Sequence, residues 1–258
     1  MPSGRVCVGS KVDLVVLRRE DWSYNGGMSD EAAWQKWFEA IWADREDRVY
    51  RDYFGDLGPG IYTLTPKTFE QLGQQNVDPR WLHHGVFECP PLPPSSHVRR
   101  DHWVYVSSGM SNPWGDTPES AKPEGFSGLG FEFTLHTREP GRWALELMQW
   151  LMAVQLLVAA GELQGAGGGG LVEYHDRVKF RQGKDAGEVS RLLVLPPGEE
   201  LYPAQFQLAS GKVDVMMLVG ISEREAEFAR TQDTEGLVKL LKHHGVWPLT
   251  MPGRASVL

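Results

Sequence analysis

The sequence predicts an α/β (α+β) protein in which a mixed β-sheet is flanked by helices, and three segments carry that prediction. Residues 102–108 contain an unbroken apolar run, Trp103 to Val106, as expected for a strand covered on both faces. Residues 129–137 alternate between large apolar and polar or small side chains, which is typical of a strand with one more apolar face. Residues 142–160 repeat apolar side chains at helical spacing. We expect both strands and a later one at 213–221 to share one sheet, with the helix packed against it.

The region before the central strands predicts a strand and a longer helix. The apolar run from Val12 to Leu17 predicts the strand. Ser29 or Asp30 can cap a helix that ends near Gly55, because a short polar side chain accepts a hydrogen bond from a free backbone amide of the first turn. The alternating acidic and basic residues 44–52 are predicted to form the solvated face of this helix, with an acidic docking surface as the alternative.

Proline, glycine and capping residues predict the remaining elements. Thr65-Pro66 and Asp78-Pro79 begin short helices, since a proline in the first turn has no intrahelical hydrogen bond to lose. Ser222 and Glu225 form a capping box at the start of another helix, and a last helix ends at Gly245. Strands are also predicted at 61–64, 86–89 and 192–195, and the buried side of the 142–160 helix is predicted to contain Trp143, Leu147, Trp150, Leu151, Val154 and Leu157.

The composition is that of an ordinary soluble globular protein. The 258 residues are 41% hydrophobic and 23% charged, with a net charge of -8. An acidic chain lacks the basic surface that nucleic acid or an anionic membrane requires. We therefore expect no nucleic-acid and no membrane partner, and a basic protein is the better electrostatic match.

Cysteine usage and the N-terminal region predict a cytoplasmic protein. Two cysteines, Cys7 and Cys89, are too few for a disulfide framework. The first twenty residues contain charged side chains instead of a sustained apolar core, so no secretory signal is predicted. No run approaches the ~18 apolar residues that span a bilayer.

The central segment resembles the suppressor of fused family. That family is marked by an aromatic strand, a turn of the form G-[ML]-S-x-x-[WY]-G-D, a G-x-G-F-E-[FL]-T strand and a helix containing tryptophan. The matching residues are Gly109-Met110-Ser111, Trp114-Gly115-Asp116, Gly128 to Thr134, Trp143 to Gln149, Tyr174-His175 and Leu218 to Ser222. The best-matching part covers roughly residues 100–250.

The resemblance implies a non-catalytic protein-interaction domain without a cofactor. Residues 56–258 are expected to form a single domain of this family, preceded by an N-terminal strand and helix extension at 1–55. Animal members hold transcription-factor peptides, partly by adding an extended strand, between such a domain and a second one. Single-domain members occur in bacteria, where the family has been associated with immunity to toxins. The expected partner is therefore a protein, either a basic toxin domain or an extended peptide.

Two loops are the predicted binding surface. Binding residues concentrate on loops held by a rigid scaffold, and the loops at 112–127 and 165–170 follow directly from predicted core elements. In the first loop, aromatic residues would anchor a partner and acidic ones would steer a basic one, whereas the glycines of the second would admit a partner's backbone. The predicted partner-binding residues are Trp114, Asp116, Glu124, Phe126, Gly168, Gly169 and Gly170.

Catalytic and metal-binding alternatives have weaker sequence support. Ser111 follows a strand as a hydrolase nucleophile does, but the motif lacks its last glycine and Pro113 is poorly placed. Glu132 and His136, four residues apart, are candidates for an acid-base pair, with a structural pair as the alternative. A metal site is not predicted, because the spacing of the candidate ligands matches no zinc pattern. These candidates are His83, His84, Cys89, His97 and His102. A small serine hydrolase using Ser111 is the alternative function.

Overall fold

The computed structural model describes residues 16–17, 29–163, 170–180 and 187–258, and it contains one nine-stranded mixed sheet. The strands are β1 (Val16–Leu17), β2 (Ile61–Thr63), β3 (Gly85–Cys89), β4 (Trp103–Ser108), β5 (Phe126–Thr137), β6 (Arg177–Lys179), β7 (Val189–Leu195), β8 (Gln205–Leu208) and β9 (Gly211–Ser222). Their order in the sheet is β1-β2-β3-β4-β5-β9-β7-β6, and β8 pairs with β9 beside this path.

The centre of the sheet confirms the predicted arrangement. Strands β1 to β5 pair antiparallel in chain order, and β5 then pairs in parallel with β9. A parallel pair requires a crossover connection, and the helix α4 (Arg142–Ala159) lies in that connection. The three predicted central strands are therefore neighbours in one sheet, with α4 packed against it.

One face of the sheet is covered by α4 and the short helix α3 (Pro66–Glu70). Leu147, Leu151 and Leu157 of the predicted stripe are buried as expected, but Trp143, Trp150 and Val154 are only half-buried. The more deeply buried side of α4 includes Ala144, Met148, Leu151 and Met152. A helix buried on most of its circumference has no sharp apolar stripe, so helical periodicity alone could not orient it.

Two helical groups cover the opposite face. The helix α1 (Ser29–Ala43) continues through a π-helical segment (Asp44–Tyr50) into α2 (Arg51–Phe54), as predicted for one helix ending near Gly55. Over β7 and β9 lie α5 (Glu223–Thr231) and α6 (Thr234–His243). The capping box of Ser222 and Glu225 is present at the start of α5. Two helical layers therefore enclose the sheet, which explains why its central strands are buried on both sides.

The structure adds two strands to the predicted set and lengthens several predicted strands, with β7 starting at Val189 and β9 spanning Gly211–Ser222. Strands β6 and β8 escape prediction because they contain only three and four residues, too few for alternation to stand out, although Gln205–Leu208 does alternate between exposed and buried side chains. Strand β5 begins at Phe126 instead of residue 129, so Phe126 and Ser127 belong to a strand and not to the preceding loop. Of the predicted strand at 12–17, only residues 16–17 lie within the described part of the chain, and they are paired with β2.

Replacing a leucine in the centre of α4 should destabilise the fold far more than the same replacement on a partly exposed helix. Leu151 is fully buried against the sheet, so Leu151→Ala should cost about 2–5 kcal/mol of unfolding free energy through lost burial and a residual cavity. Leu240→Ala on α6 is the matched control, because Leu240 is only half-buried. Urea denaturation of both variants measures the difference, and equal losses would show that α4 is not the main packing element.

Candidate protein-interaction site

A buried ion pair organises the end of β4 and the turn that follows it. The guanidinium of Arg45 lies 3.8 Å from the carboxylate of Glu132, and both side chains are almost completely inaccessible to solvent. Arg45 donates hydrogen bonds to the hydroxyls of Ser108 and Ser111 and to the amide oxygen of Asn112. Glu132 accepts hydrogen bonds from the backbone amides of Gly109 and Ser111 and from the hydroxyls of Ser107 and Ser111. The π-helical segment is thereby tied to the turn and to β5.

This network corrects the predictions for Arg45 and for the polar face of β5. The alternating charges of residues 44–52 predict a solvated position for Arg45, yet it is fully buried. The alternation of β5 predicts a less apolar face for Glu132, Thr134 and His136, and all three are buried as well. Their polar groups remain stable inside the protein because each has hydrogen-bond partners there. The sequence carries a signal for this arrangement only in the glutamate between two phenylalanines at residues 131–133.

Two glycines of the G-L-G-F-E-F-T segment allow β5 to bend beside the turn. Gly128 and Gly130 have φ angles of +56° and +86°, which strain any other residue. A Cβ atom on Gly128 would lie 2.5 Å from the carbonyl oxygen of Asn112, and one on Gly130 would lie 3.1 Å from the side chain of Phe126. The pairing of β5 with β9 shifts register between Phe126 and Phe131. The glycines therefore permit a bulge that brings the strand close to the loop.

Hydrogen bonds hold the two ends of the predicted binding loop together. The amide of Leu129 donates to the carbonyl of Met110 at 2.8 Å, and the hydroxyl of Ser127 donates to the carbonyl of Ser111 at 2.7 Å. The hydroxyl of Ser127 also lies 2.6 Å from that of Ser210 before β9. The intervening residues thus leave and rejoin the scaffold at one place, as in a compact surface loop.

At the first end of the loop, Trp114 and Asp116 pack against α1. The ring of Trp114 lies 4.4 Å from that of Phe38 and 6.1 Å from that of Trp34, measured between centroids. The indole N–H of Trp34 donates to the backbone carbonyl of Asp116 at 2.9 Å. Trp114 is therefore half-buried and not a free surface ring.

At the other end of the loop, Glu124 and Phe126 face solvent. Phe126 is 59% exposed and is the one large hydrophobic side chain exposed to this degree among the described residues. Glu124 is also exposed. Of the predicted glycines, Gly168 and Gly169 lie outside the described residues, and Gly170 is exposed.

A cleft of about 530 Å³ opens beside Trp114. Its walls come from the loop, from the 3₁₀ helix (Pro79–His83) and from the C-terminal end of α4. Its volume lies within the range of small-ligand sites. Trp114 and Asp116 line it, whereas Glu124, Phe126 and Gly170 do not. The predicted site residues thus fall at two places along the loop.

The candidate catalytic groups occupy separate structural networks. The hydroxyl of Ser111 donates to Glu132 at 2.6 Å and accepts from Arg45 at 3.0 Å, and Ser111 is fully buried. His136 belongs to another chain of hydrogen bonds: its ring nitrogens lie 2.8 Å from His102 and 2.7 Å from the hydroxyl of Tyr202. Glu132 and His136 therefore bind different partners and do not form the suggested acid-base pair.

The described residues provide neither a metal-binding cluster nor a helix suited to a bilayer. Among them, His, Cys, Asp and Glu side chains form no group of three or more that could hold a metal ion. Cys89 is a buried free thiol whose pKa is raised by burial to about 12. In that same portion of the protein, no helix has the length and apolar character needed to cross a membrane.

The structure defines an α+β domain in which a rigid sheet presents a surface loop fixed at both ends, while Ser111 and His136 are buried in hydrogen-bond networks. Loops held in this way are common sites of recognition. The family model for suppressor of fused protein (SUFU) matches residues 81–255, which is more than half of the chain. The chain belongs to the suppressor of fused family. The strand, turn and helix motifs that indicate this family lie within the matched region.

Curated relatives agree with this assignment, and solved structures share the fold. Suppressor of fused homologs from Homo sapiens and Mus musculus are 29% and 28% identical over 179 residues, covering 64% of this chain and 34% of each relative. The chain therefore spans about a third of the length of these relatives. A Sufu-Fu complex structure matches with a TM-score of 0.55 at 22% identity, covering 86% of this chain and 92% of the other. A SUFU homolog structure from Neisseria gonorrhoeae matches with a TM-score of 0.53 at 16% identity, covering 87% and 98%. Both structures show the fold.

Removing either partner of the buried ion pair should strongly destabilise the protein. Arg45→Met leaves the Glu132 carboxylate buried without its cation, so we expect a loss of about 3–5 kcal/mol. Arg48→Met is the control, because Arg48 forms an exposed pair with Asp44 and should cost about 0–1 kcal/mol. Chemical denaturation compares the two, and similar losses would contradict the central role of Arg45.

The protein should lose stability in acid in part through His84. Burial, together with the nearby Arg45 charge, lowers the pKa of His84 from 6.5 to about 3. Between these values the unfolded chain binds a proton that the folded protein does not, so stability falls as the pH decreases from 6.5 toward 3, by roughly 1.4 kcal/mol per pH unit for this group.

The variant His84→Asn isolates this contribution, since asparagine can still donate a hydrogen bond but does not titrate. Its unfolding free energy, measured between pH 7 and pH 5, should depend less steeply on pH than that of the wild type. His97→Asn controls for the loss of an exposed histidine. An unchanged pH dependence in His84→Asn would show that His84 is not held neutral by burial.

Proposed function

We propose that the 112–127 segment binds a basic protein partner, and that the specific role is that of an immunity protein that neutralises a cognate toxin domain. The observation that carries the proposal is the exposure of Phe126 beside the acidic residue Glu124, on a segment whose ends are fixed to the scaffold. An exposed aromatic ring on a preorganised backbone is typical of an interface anchor.

The two aromatic residues of the proposed site have different roles. Phe126 is free to insert into a pocket of a partner, because more than half of its surface is exposed. Trp114 packs on Phe38, so only part of its surface is accessible to a partner. Trp114→Ala is therefore expected to affect stability as well as binding, whereas Phe126→Ala should affect binding alone.

Charge supports a basic partner. The chain has a net charge of -8, and complementary charge accelerates encounter and disfavours partners of like charge. Glu124 and Asp116 are the acidic groups proposed to steer a basic partner, while Gly168, Gly169 and Gly170 are proposed to admit a partner's backbone at the edge of the surface. An extended peptide is the second form of partner compatible with this surface. A cytoplasmic location accords with the role.

Relatives of this chain support the binding of a protein in general. One matching crystal structure is that of a Sufu-Fu complex, so a protein of this fold has been crystallised with a partner. The curated relatives are much longer than this chain. We therefore infer from them only that the partner is a protein, and not which protein it is. The division into an extension at 1–55 and a domain at 56–258 remains a prediction.

Replacing Phe126 should weaken partner binding without unfolding the protein. Candidate partners would be sought by testing whether any neighbouring gene encodes a basic toxin-like domain. Calorimetric titration with a purified, inactivated candidate should show a loss of about 2 kcal/mol or more for Phe126→Ala, roughly 30-fold in Kd, with a nearly unchanged melting temperature. Phe228→Ala on α5 is the control for loss of a phenylalanine elsewhere.

Charge at the same surface is tested separately. Glu124→Gln should weaken binding and reduce its salt dependence, whereas the exposed Glu199→Gln should have no effect. Binding that is unaffected by both Phe126→Ala and Glu124→Gln would show that this segment is not the interface. Failure of the wild type to bind or protect against an adjacent toxin domain would contradict the immunity role.

A further inference from the structure

We propose that the cleft beside Trp114 binds an arginine side chain of the partner together with a backbone carbonyl next to it. This inference rests on the proposed function, because it specifies partner chemistry at one end of the same loop. The cleft lies between the loop, the 3₁₀ helix at 79–83 and the end of α4. Its lining combines aromatic rings, an excess of carboxylates and two buried donors without acceptors.

Aromatic rings form two walls of the cleft. Trp114 is fixed from behind by Phe38, with ring centroids 4.4 Å apart. Trp81 is fixed by stacking on Phe69 at 5.3 Å. Both tryptophans line the cleft and remain partly exposed. A planar guanidinium stacks on such rings and is attracted by their negative faces.

Charge in the cleft favours a cation. Asp78, Asp116 and Glu162 contribute three carboxylates to the lining, against one guanidinium from Arg80. Arg80 is already paired with Asp78, whose pKa this contact lowers. His84 also lines the cleft but carries no charge at neutral pH, since its pKa is lowered to about 3. The C-terminal end of α4, at Ala159 and Ala160, adds the negative end of a helix dipole.

Two buried N–H groups of the lining lack acceptors among the described residues: the side-chain amide nitrogen of Asn112 and the indole nitrogen of Trp114. Asn112 is only 3% exposed, and its amide oxygen accepts a hydrogen bond from Arg45 at 2.8 Å. That bond fixes the orientation of the side-chain amide, so the amide nitrogen is the group without a hydrogen-bond acceptor. An unsatisfied buried donor costs free energy. A carbonyl group of a ligand would satisfy it after a small adjustment of the side chain.

A single arginine residue within a peptide complements the aromatic rings, the carboxylates and the unpaired donors of the cleft. Its guanidinium can stack on a tryptophan while its forked N–H groups bind carboxylates, which a lysine ammonium cannot do in the same geometry. Its backbone carbonyl is the acceptor that the amide and indole donors lack. An acidic ligand is disfavoured by the carboxylates, and a purely apolar one leaves the donors unpaired.

The test uses a small probe and needs no knowledge of the natural partner. The full chain, labelled with ¹⁵N, is titrated with Nα-acetyl-arginine-N-methylamide while the indole and side-chain amide resonances are followed by NMR. We expect saturable shifts of the Trp114 indole and Asn112 amide signals, with a Kd on the order of 1–10 mM as for other small fragments. The citrulline counterpart, which is neutral and nearly isosteric, should bind at least ~10-fold more weakly.

Variants separate this cleft from the exposed end of the loop. Asp116→Asn combined with Glu162→Gln should weaken probe binding about 5-fold to 10-fold, with an otherwise unchanged spectrum showing that the fold is intact. Phe126→Ala and Glu124→Gln should leave probe binding unchanged, since neither residue lines the cleft. Trp114→Phe keeps a ring but removes the donor, and it should weaken probe binding.

The outcomes distinguish this inference from the proposed function. Equal binding of the arginine and citrulline probes, or shifts that avoid Trp114 and Asn112, would overturn the arginine assignment. A probe that binds as described, in a protein whose interaction with every candidate toxin domain fails, would contradict the immunity role and leave the cleft assignment standing.

Discussion

The pairing of Arg45 with Glu132 is the constraint on which the architecture of the site depends. Two opposite charges are removed from water at the point where a helix, the end of β4 and the middle of β5 meet. Such a pair is tolerated only when the remaining donors and acceptors also find partners. The hydroxyls of residues 107, 108 and 111 and the backbone amides of the turn provide most of them, and among the described residues only the Nε of Arg45 in this pair lacks a partner. The turn can therefore adopt few other conformations without leaving a charge unsatisfied.

The family motif has a physical explanation in these contacts. The serine of the G-M-S turn and the glutamate of the G-F-E-F-T strand are hydrogen-bonded to each other, and the glycines before that glutamate let the strand bulge toward the turn. The motif thus specifies how a loop is attached to a sheet. Glu124 and Phe126 lie between the attachment points, where substitutions alter the surface with less effect on the fold than at the packed Trp114.

Much of the fold could be predicted because its signals are local. Apolar runs and alternation located the central strands, a capping box located the start of α5, and glycine located the end of the first long helix. The weakest predictions concerned residues whose environment is set by distant parts of the chain. Arg45 lies in a run of alternating charges that is typical of a solvated surface, and nothing nearby in sequence indicates that Glu132 lies next to it.

The sequence by itself determined the class of fold, the order of the central elements and the family, because periodicity and an ordered motif are properties of neighbouring residues. Only the tertiary structure decided which polar residues are buried and how the loop is presented. Exposure depends on packing between segments far apart in the chain, such as Phe38 against Trp114. Hence two aromatic residues of the 112–127 segment, both predicted from the sequence as anchors, differ in the structure: Trp114 is a packed wall of the cleft, and Phe126 is an exposed ring at the start of β5.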